Sequence, residues 1–187
     1  MNRPASTVPR QPAPSVVSAS TGSPEETRQL AAAVASVCRP GDVLLLSGDL
    51  GAGKTVFAQG FARGLGVTEP VTSPTFILVR PYPVPGRGEV RRLVHADLYR
   101  LDSLHEVEDL AIEELLDQGA VALIEWGEAA GSALATDALT VRLAPVDAVG
   151  SDDDGECRTV SLAGSGRRWQ ERRSALAEAV APWGRRG

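Results

Sequence analysis

Gly48-Asp49-Leu50-Gly51-Ala52-Gly53-Lys54-Thr55 decides the fold, because this stretch fits the pattern GxxxxGK[ST] in full. Its glycines let backbone N–H groups turn inward around an anion with no Cβ in the way, and a following helix aims its positive end at the same point. Lys54 neutralises phosphate charge, and the Thr55 hydroxyl is placed to ligate Mg²⁺. The flanks agree with this reading. Residues 43–46 form a short apolar run feeding Gly48, and beyond the loop Phe57, Phe61 and Leu65 recur four apart, as on one helix face. Strand, glycine loop and helix together mark a nucleotide-phosphate site.

Upstream of the loop, Ser23 reads as an N-cap, with Pro24 at the first helical position and Glu25 and Glu26 in the first turn. Leu30, Val34 and Val37 continue that helix until Arg39-Pro40-Gly41 stops it. Residues 1–22 are rich in Pro, Ser, Ala and Thr without an apolar period, which predicts a disordered tail. Downstream, residues 75–82 and 90–98 read as two strands separated by Pro83-Val84-Pro85-Gly86, hence a hairpin. Residues 104–116 predict a helix with an acidic face, closed by Gly119. Residues 120–124 are almost wholly apolar, as a parallel strand covered on both faces should be. Residues 139–143 and 159–162 add short strands on either side of the acidic loop around Asp152, Asp153 and Asp154. An arginine-rich helix closes the chain over roughly residues 168–180. This order predicts an α/β fold, a single P-loop NTPase-like domain. Its sheet is expected to be mixed, with a central parallel part and helices on both faces. The domain is expected over residues 23–165, after the tail of residues 1–22 and before a separate arginine-rich helix and tail over 166–187.

Composition narrows the functional class. The 187 residues suffice for one domain with a core, and no apolar run approaches the ~20 residues that cross a bilayer. The N-terminus lacks the apolar core of a secretory signal. Cys38 and Cys157 are the two cysteines and form no CxxC pair, so a reducing, cytoplasmic setting is expected. A net charge of −5 argues against a free-standing nucleic-acid binder. Of 19 basic residues, Lys54 is the only lysine.

A Mg²⁺-dependent phosphate site also needs a carboxylate at the end of a neighbouring strand. Glu125, after Val121-Ala122-Leu123-Ile124, is one candidate, set against an ordinary strand-end carboxylate. Asp97, within His95-Ala96-Asp97-Leu98-Tyr99-Arg100, is the other, set against a cap or an ion pair with Arg100. His95 reads equally as a core residue, a polar strand residue or a catalytic one, and His105 as helix surface. Thr75, in Ser73-Pro74-Thr75, lies where switch threonines sense a γ-phosphate, and the same tripeptide is ordinary loop chemistry. Trp126 either stacks on a base or plugs the sheet edge.

Taken in order, the glycine loop, Ser73-Pro74-Thr75-Phe76, His95-Ala96-Asp97-Leu98-Tyr99-Arg100-Leu101 and Ile124-Glu125-Trp126 closely resemble the TsaE (formerly YjeE) family. These are small bacterial P-loop ATPases needed for threonylcarbamoyladenosine formation at position 37 of tRNAs that read codons starting with A. The resemblance runs over residues 23–165. It implies that Asp49, Leu50, Gly51, Ala52, Gly53, Lys54 and Thr55 bind ATP, and that Thr55 and Glu125 hold Mg²⁺. It further implies that Asp97 and Thr75 sit near the γ-phosphate and the attacking water, with Lys54 and Glu125 completing the catalytic set. By the same resemblance Arg158 matches a late-strand arginine near the nucleotide, and the helix start over residues 24–27 borders the adenine. The partners implied are TsaB and TsaD, with tRNA reached through their complex.

Two other classes compete with a partner-dependent ATPase. A small-molecule or nucleotide kinase would carry an arginine-bearing lid, for which the C-terminal helix is the one arginine-dense stretch, otherwise read as a solvated face. A nucleotide-gated binding module would bind without useful turnover.

Overall fold

The computed structural model describes residues 16–73, 79–86, 88–98, 111–125, 137–146 and 157–184. Seven strands, β1 (Val16–Thr21), β2 (Val43–Ser47), β3 (Val79–Pro83), β4 (Arg92–Asp97), β5 (Ala120–Glu125), β6 (Ala138–Pro145) and β7 (Arg158–Gly164), form one sheet. Their order is β1-β7-β6-β2-β5-β4-β3. The four central strands β6, β2, β5 and β4 run parallel, and β3, β7 and β1 are added antiparallel. Central strands must be apolar on both faces, which is why β5 reads Ala-Val-Ala-Leu-Ile-Glu and is buried throughout.

Helices cover both faces, as expected. On one face α1 (Pro24–Ala35) and α2 (Lys54–Leu65) pack with Phe57, Phe61, Leu30 and Val34 against Leu44, Leu46, Leu93 and Leu123. On the other, α3 (Ile112–Asp117) lays Ile112, Leu115 and Leu116 over Val43, Val94 and Ile124. The α1–α2 contact is unusually close for a sequence reason. A Cβ on Gly60 would collide with the Arg28 backbone, and one on Gly64 would come within 2.6 Å of the Ala32 Cα. The α1 start is as read from sequence: Ser23 Oγ accepts from the Glu26 N–H at 3.2 Å, with Pro24 in the first turn. Of the helix expected over residues 104–116, only the end lies within the described residues, where Gly119 takes φ +87°.

Both ends of the chain depart from expectation. Residues 16–21, read as part of a disordered tail, form β1 instead, paired residue by residue with β7 from Val16↔Ala163 to Thr21↔Arg158. Its outer edge meets the C-terminal segment at an Ala19–Gly184 bridge. Pairing and burial of Ala19 and Thr21 make this strand, which its own Ser- and Thr-rich sequence does not announce. Residues 1–15 lie outside the described residues. The C-terminal stretch is likewise no separate appendage. The helices α4 (Gly166–Glu171) and α5 (Arg173–Val180) join the main core through Trp169, Leu176 and Val180.

Arg172, between these two helices, fixes them to the rest of the chain. It donates to both Asp42 oxygens at 2.6 and 2.7 Å and to the Val37 carbonyl at 2.9 Å, and its guanidinium stacks over Trp169 at 4.2 Å. Burial pushes this guanidinium down, and the hydrogen bond and charge of Asp42 outweigh that and raise it. The solvated arginine face expected here is therefore interrupted by one buried, paired arginine. No helix among the described residues is long and apolar enough to cross a membrane.

Candidate functional site

The glycine loop leaves β2 at Ser47 and enters α2 at Lys54, at the C-terminal edge of the parallel strands, where α/β sheets place their ligands. Gly48, Gly51 and Gly53 take φ of +143°, +80° and +100°, a backbone region that disfavours every residue with a side chain. Gly48 is doubly constrained, since a Cβ there would strike the Leu143 carbonyl of β6. Gly53 is the N-cap of α2 and supplies no side-chain cap, so the first N–H groups of this twelve-residue helix face the loop without a capping side chain.

Lys54 is buried, and its Nζ donates to the carbonyls of Gly48 at 2.7 Å and Asp49 at 3.1 Å, spanning the loop from inside. Asp49 and Leu50 form its exposed lip, Leu50 almost fully so at 95%. Ala52 is buried, and Thr55 is half-buried in the first turn of α2. Arg158, at the start of β7, reaches the same loop. Its Nε donates to the Ala52 carbonyl at 3.1 Å and its Nη2 to that of Gly51 at 3.4 Å.

The two carboxylates arrive from the adjacent strands. Glu125 ends β5 as the register partner of Leu46, two residues before Gly48, and Asp97 ends β4 as the register partner of Glu125. Strand alternation puts Asp97, Glu125 and His95 on the face shared with α2, the face of Leu93 and Leu123. Glu125 is 2% exposed and Asp97 7%. The cost of burying Glu125 is offset by His95, whose Nε2 lies 3.0 Å from Oε1. That pairing was not legible in the sequence, although His95 and Asp97 two apart on one strand, beside a strand ending in Glu125, were its available signal.

The site thus gathers Asp49, Leu50, Gly51, Ala52, Gly53, Lys54, Thr55, Arg158, Glu125 and Asp97 around one sheet edge. Thr75, Trp126, His105 and the Asp152–Asp154 loop lie outside the described residues. Thr27, at the helix start expected to border a base, is buried and hydrogen-bonded to Thr21 Oγ1 at 2.8 Å.

The family model described as "Threonylcarbamoyl adenosine biosynthesis protein TsaE" matches residues 21–150. The chain belongs to the TsaE family. A Streptomyces coelicolor protein named tRNA threonylcarbamoyladenosine biosynthesis protein TsaE is 43% identical, covering 76% of this chain and 93% of that one. A Bacillus subtilis protein of the same name is 47% identical over 57% of this chain and 63% of its own length. The crystal structure of Bacillus subtilis YdiB superimposes with a TM-score of 0.68 at 32% identity, covering 88% of this chain and 96% of that one. The TsaE match ends before Arg158 and β7, yet the structure brings that arginine onto the loop the match contains.

Proposed function

We propose that this chain binds ATP with Mg²⁺ in the loop from Gly48 to Thr55 and hydrolyses it within the threonylcarbamoyladenosine-forming machinery of tRNA, acting on a complex of TsaB- and TsaD-type proteins in the cytoplasm. The observation that carries this reading is the pairing of an uncapped α2 N-terminus, behind three positive-φ glycines, with two buried carboxylates on the same sheet face. Positive-φ glycines and an uncapped α2 N-terminus suit a polyphosphate anion. A hard oxygen set of Thr55, Glu125 and phosphate suits Mg²⁺, which usually takes one or two carboxylates and keeps the rest for phosphate and water.

Each residue has a separate task. Loop N–H groups and Lys54 hold the phosphates, and Lys54 exchanges its carbonyl contacts for phosphate oxygens. Thr55 and Glu125 hold Mg²⁺, which when bound neutralises charge on the phosphates. Asp97 orients the attacking water, and the γ-phosphate contact that the family resemblance implies is assigned to Thr75. Arg158 keeps the loop's carbonyls pointing away from the anion. Catalysis is then mainly positioning and charge neutralisation.

A kinase reading gains nothing from Arg168 or Arg172. Arg168 donates to the Gly41 carbonyl and Arg172 to Asp42, both before β2, whereas the glycine loop follows β2 at its other end. The test is ATP turnover by the full chain, alone and with a TsaB–TsaD complex. Free phosphate whose release accelerates with the complex supports the proposal; phosphate transferred to an acceptor points to a kinase, and binding without release to a nucleotide-gated module.

A further inference from the structure

Position 95 lies where the apolar part of a sheet face gives way to its polar end. Its neighbours on that face are Leu93 and Asp97 on β4, Leu123, its register partner on β5, and Arg80, its register partner on β3; Leu93 and Leu123 are fully buried. A valine or leucine would fill this place without a polar cost, yet the residue is a fully buried histidine. Its one hydrogen bond among the described residues is the 3.0 Å contact from Nε2 to Glu125 Oε1, while Nδ1 has no partner among them. An ionised carboxylate only accepts, so the nitrogen facing it carries the proton and the tautomer is set as Nε2–H. The one polar contact this ring makes among the described residues is thus with Glu125.

Glu125 needs such a partner more than most carboxylates. It is nearly out of solvent and stands beside a second carboxylate, Asp97, its register partner. Left alone, its side chain would be free to turn away from Asp97, and that change would spoil a metal ligand. We propose that His95 is a positioning residue for Glu125, holding Oε1 from the core side so that Oε2 is left fixed for Mg²⁺. This rests on the proposed function, in which Glu125 is the metal carboxylate. The arrangement follows the general logic by which a histidine or carboxylate behind a metal ligand fixes its orientation.

The test uses full-length chains carrying His95→Leu, His95→Gln, His95→Asn and Glu125→Gln. Three quantities are measured: affinity for a non-hydrolysable ATP analogue with Mg²⁺, the same affinity in EDTA, and Mn²⁺ affinity of the analogue complex by electron paramagnetic resonance. His95→Leu is expected to lower metal affinity about 10–100-fold and leave the EDTA value unchanged. The longer His95→Gln amide reaches Glu125 and restores most of the loss; the shorter His95→Asn amide does not. Combining His95→Leu with Glu125→Gln adds little beyond Glu125→Gln, because both act on one ligand. Should Glu125→Gln weaken metal binding while every His95 variant binds metal like the parent, the positioning role is overturned and the metal role of Glu125 stands. No metal effect of Glu125→Gln removes that role, and the inference with it. If His95→Leu does not fold, the Gln–Asn contrast decides: equal metal affinities in these two variants overturn the proposal. A drop in melting temperature with unchanged metal affinity would assign His95 to packing alone.

Discussion

Asp97 and Glu125 are register partners at the ends of the parallel strands β4 and β5, and they face the glycine loop from the same side of the sheet. Two neighbouring carboxylates at low exposure are costly unless each is held by a hydrogen bond or a cation. Glu125 is held from behind by His95 and lies beside β2, the strand that feeds the loop. Asp97 lies one strand further out. Their positions therefore differ in a way that separates their proposed tasks.

Glu125→Gln keeps shape and removes charge, and is expected to weaken Mg²⁺-dependent nucleotide affinity together with turnover. Asp97→Asn is expected to lower single-turnover hydrolysis by at least about tenfold while nucleotide still binds, as for an interaction formed chiefly in the transition state. Paired titrations with and without Mg²⁺, and single-turnover assays, check both. An Asp97→Asn chain that loses metal-dependent affinity, beside a Glu125→Gln chain that loses only turnover, reverses the two assignments.

Arg172 and Asp42 form a buried, two-pronged ion pair, and removing Arg172 leaves Asp42 with the Arg39 N–H at 2.7 Å and the more distant Arg168 guanidinium at 3.9 Å. Arg172→Met is expected to destabilise the fold by about 3–5 kcal/mol, and Asp42→Asn in the same chain to recover part of that loss. Urea unfolding of the single and double variants measures it. Nucleotide affinity of the folded variant should stay near that of the parent, since the pair lies at the opposite end of β2 from the loop.

What was legible in the sequence is what local chemistry dictates. The loop's glycines, the apolar run of β5 and the cap at Ser23 each follow from a few adjacent residues, and each is found where it was read. Contacts between distant residues were not legible. Arg172 looked like one more solvated arginine because its partner is 130 positions away, and His95 had no assigned partner because Glu125 is 30 away. Strand β1 was missed because edge strands carry little apolar signal of their own: Val16 and Ser18 are exposed, and only Ala19 and Thr21 are buried.

The strand at the N-terminus gives a direct check. A chain beginning at residue 22 loses all six β1–β7 register pairs and the Thr21–Thr27 hydrogen bond, whereas a chain beginning at residue 16 keeps them. The shorter chain is expected to melt at a clearly lower temperature than the longer one. Equal melting temperatures would mean that β1 contributes nothing to stability.

Cys38 sets an alkaline limit. Burial and the Asp42 charge push its thiol up, against a smaller opposing effect of Arg172, so the folded chain keeps the proton that the unfolded chain releases. Stability from this group is complete below the unfolded thiol's value of about 8.5 and is lost as pH rises beyond it. Cys38→Ala is expected to flatten the fall in unfolding free energy between pH 8 and pH 10. An unchanged slope would place the alkaline loss elsewhere.

The central claim is that the loop from Gly48 to Thr55 is a phosphate cradle with Lys54 at its centre. The most direct measurement is a titration of the Lys54→Ala chain with ATP and Mg²⁺ by calorimetry, alongside its melting temperature. Loss of a charged hydrogen-bonding partner to phosphate is expected to weaken affinity by at least about tenfold. The fold should persist, because the core of this face is built by the apolar side chains of the sheet, α1 and α2. A well-folded Lys54→Ala chain that binds ATP as tightly as the parent would contradict the claim.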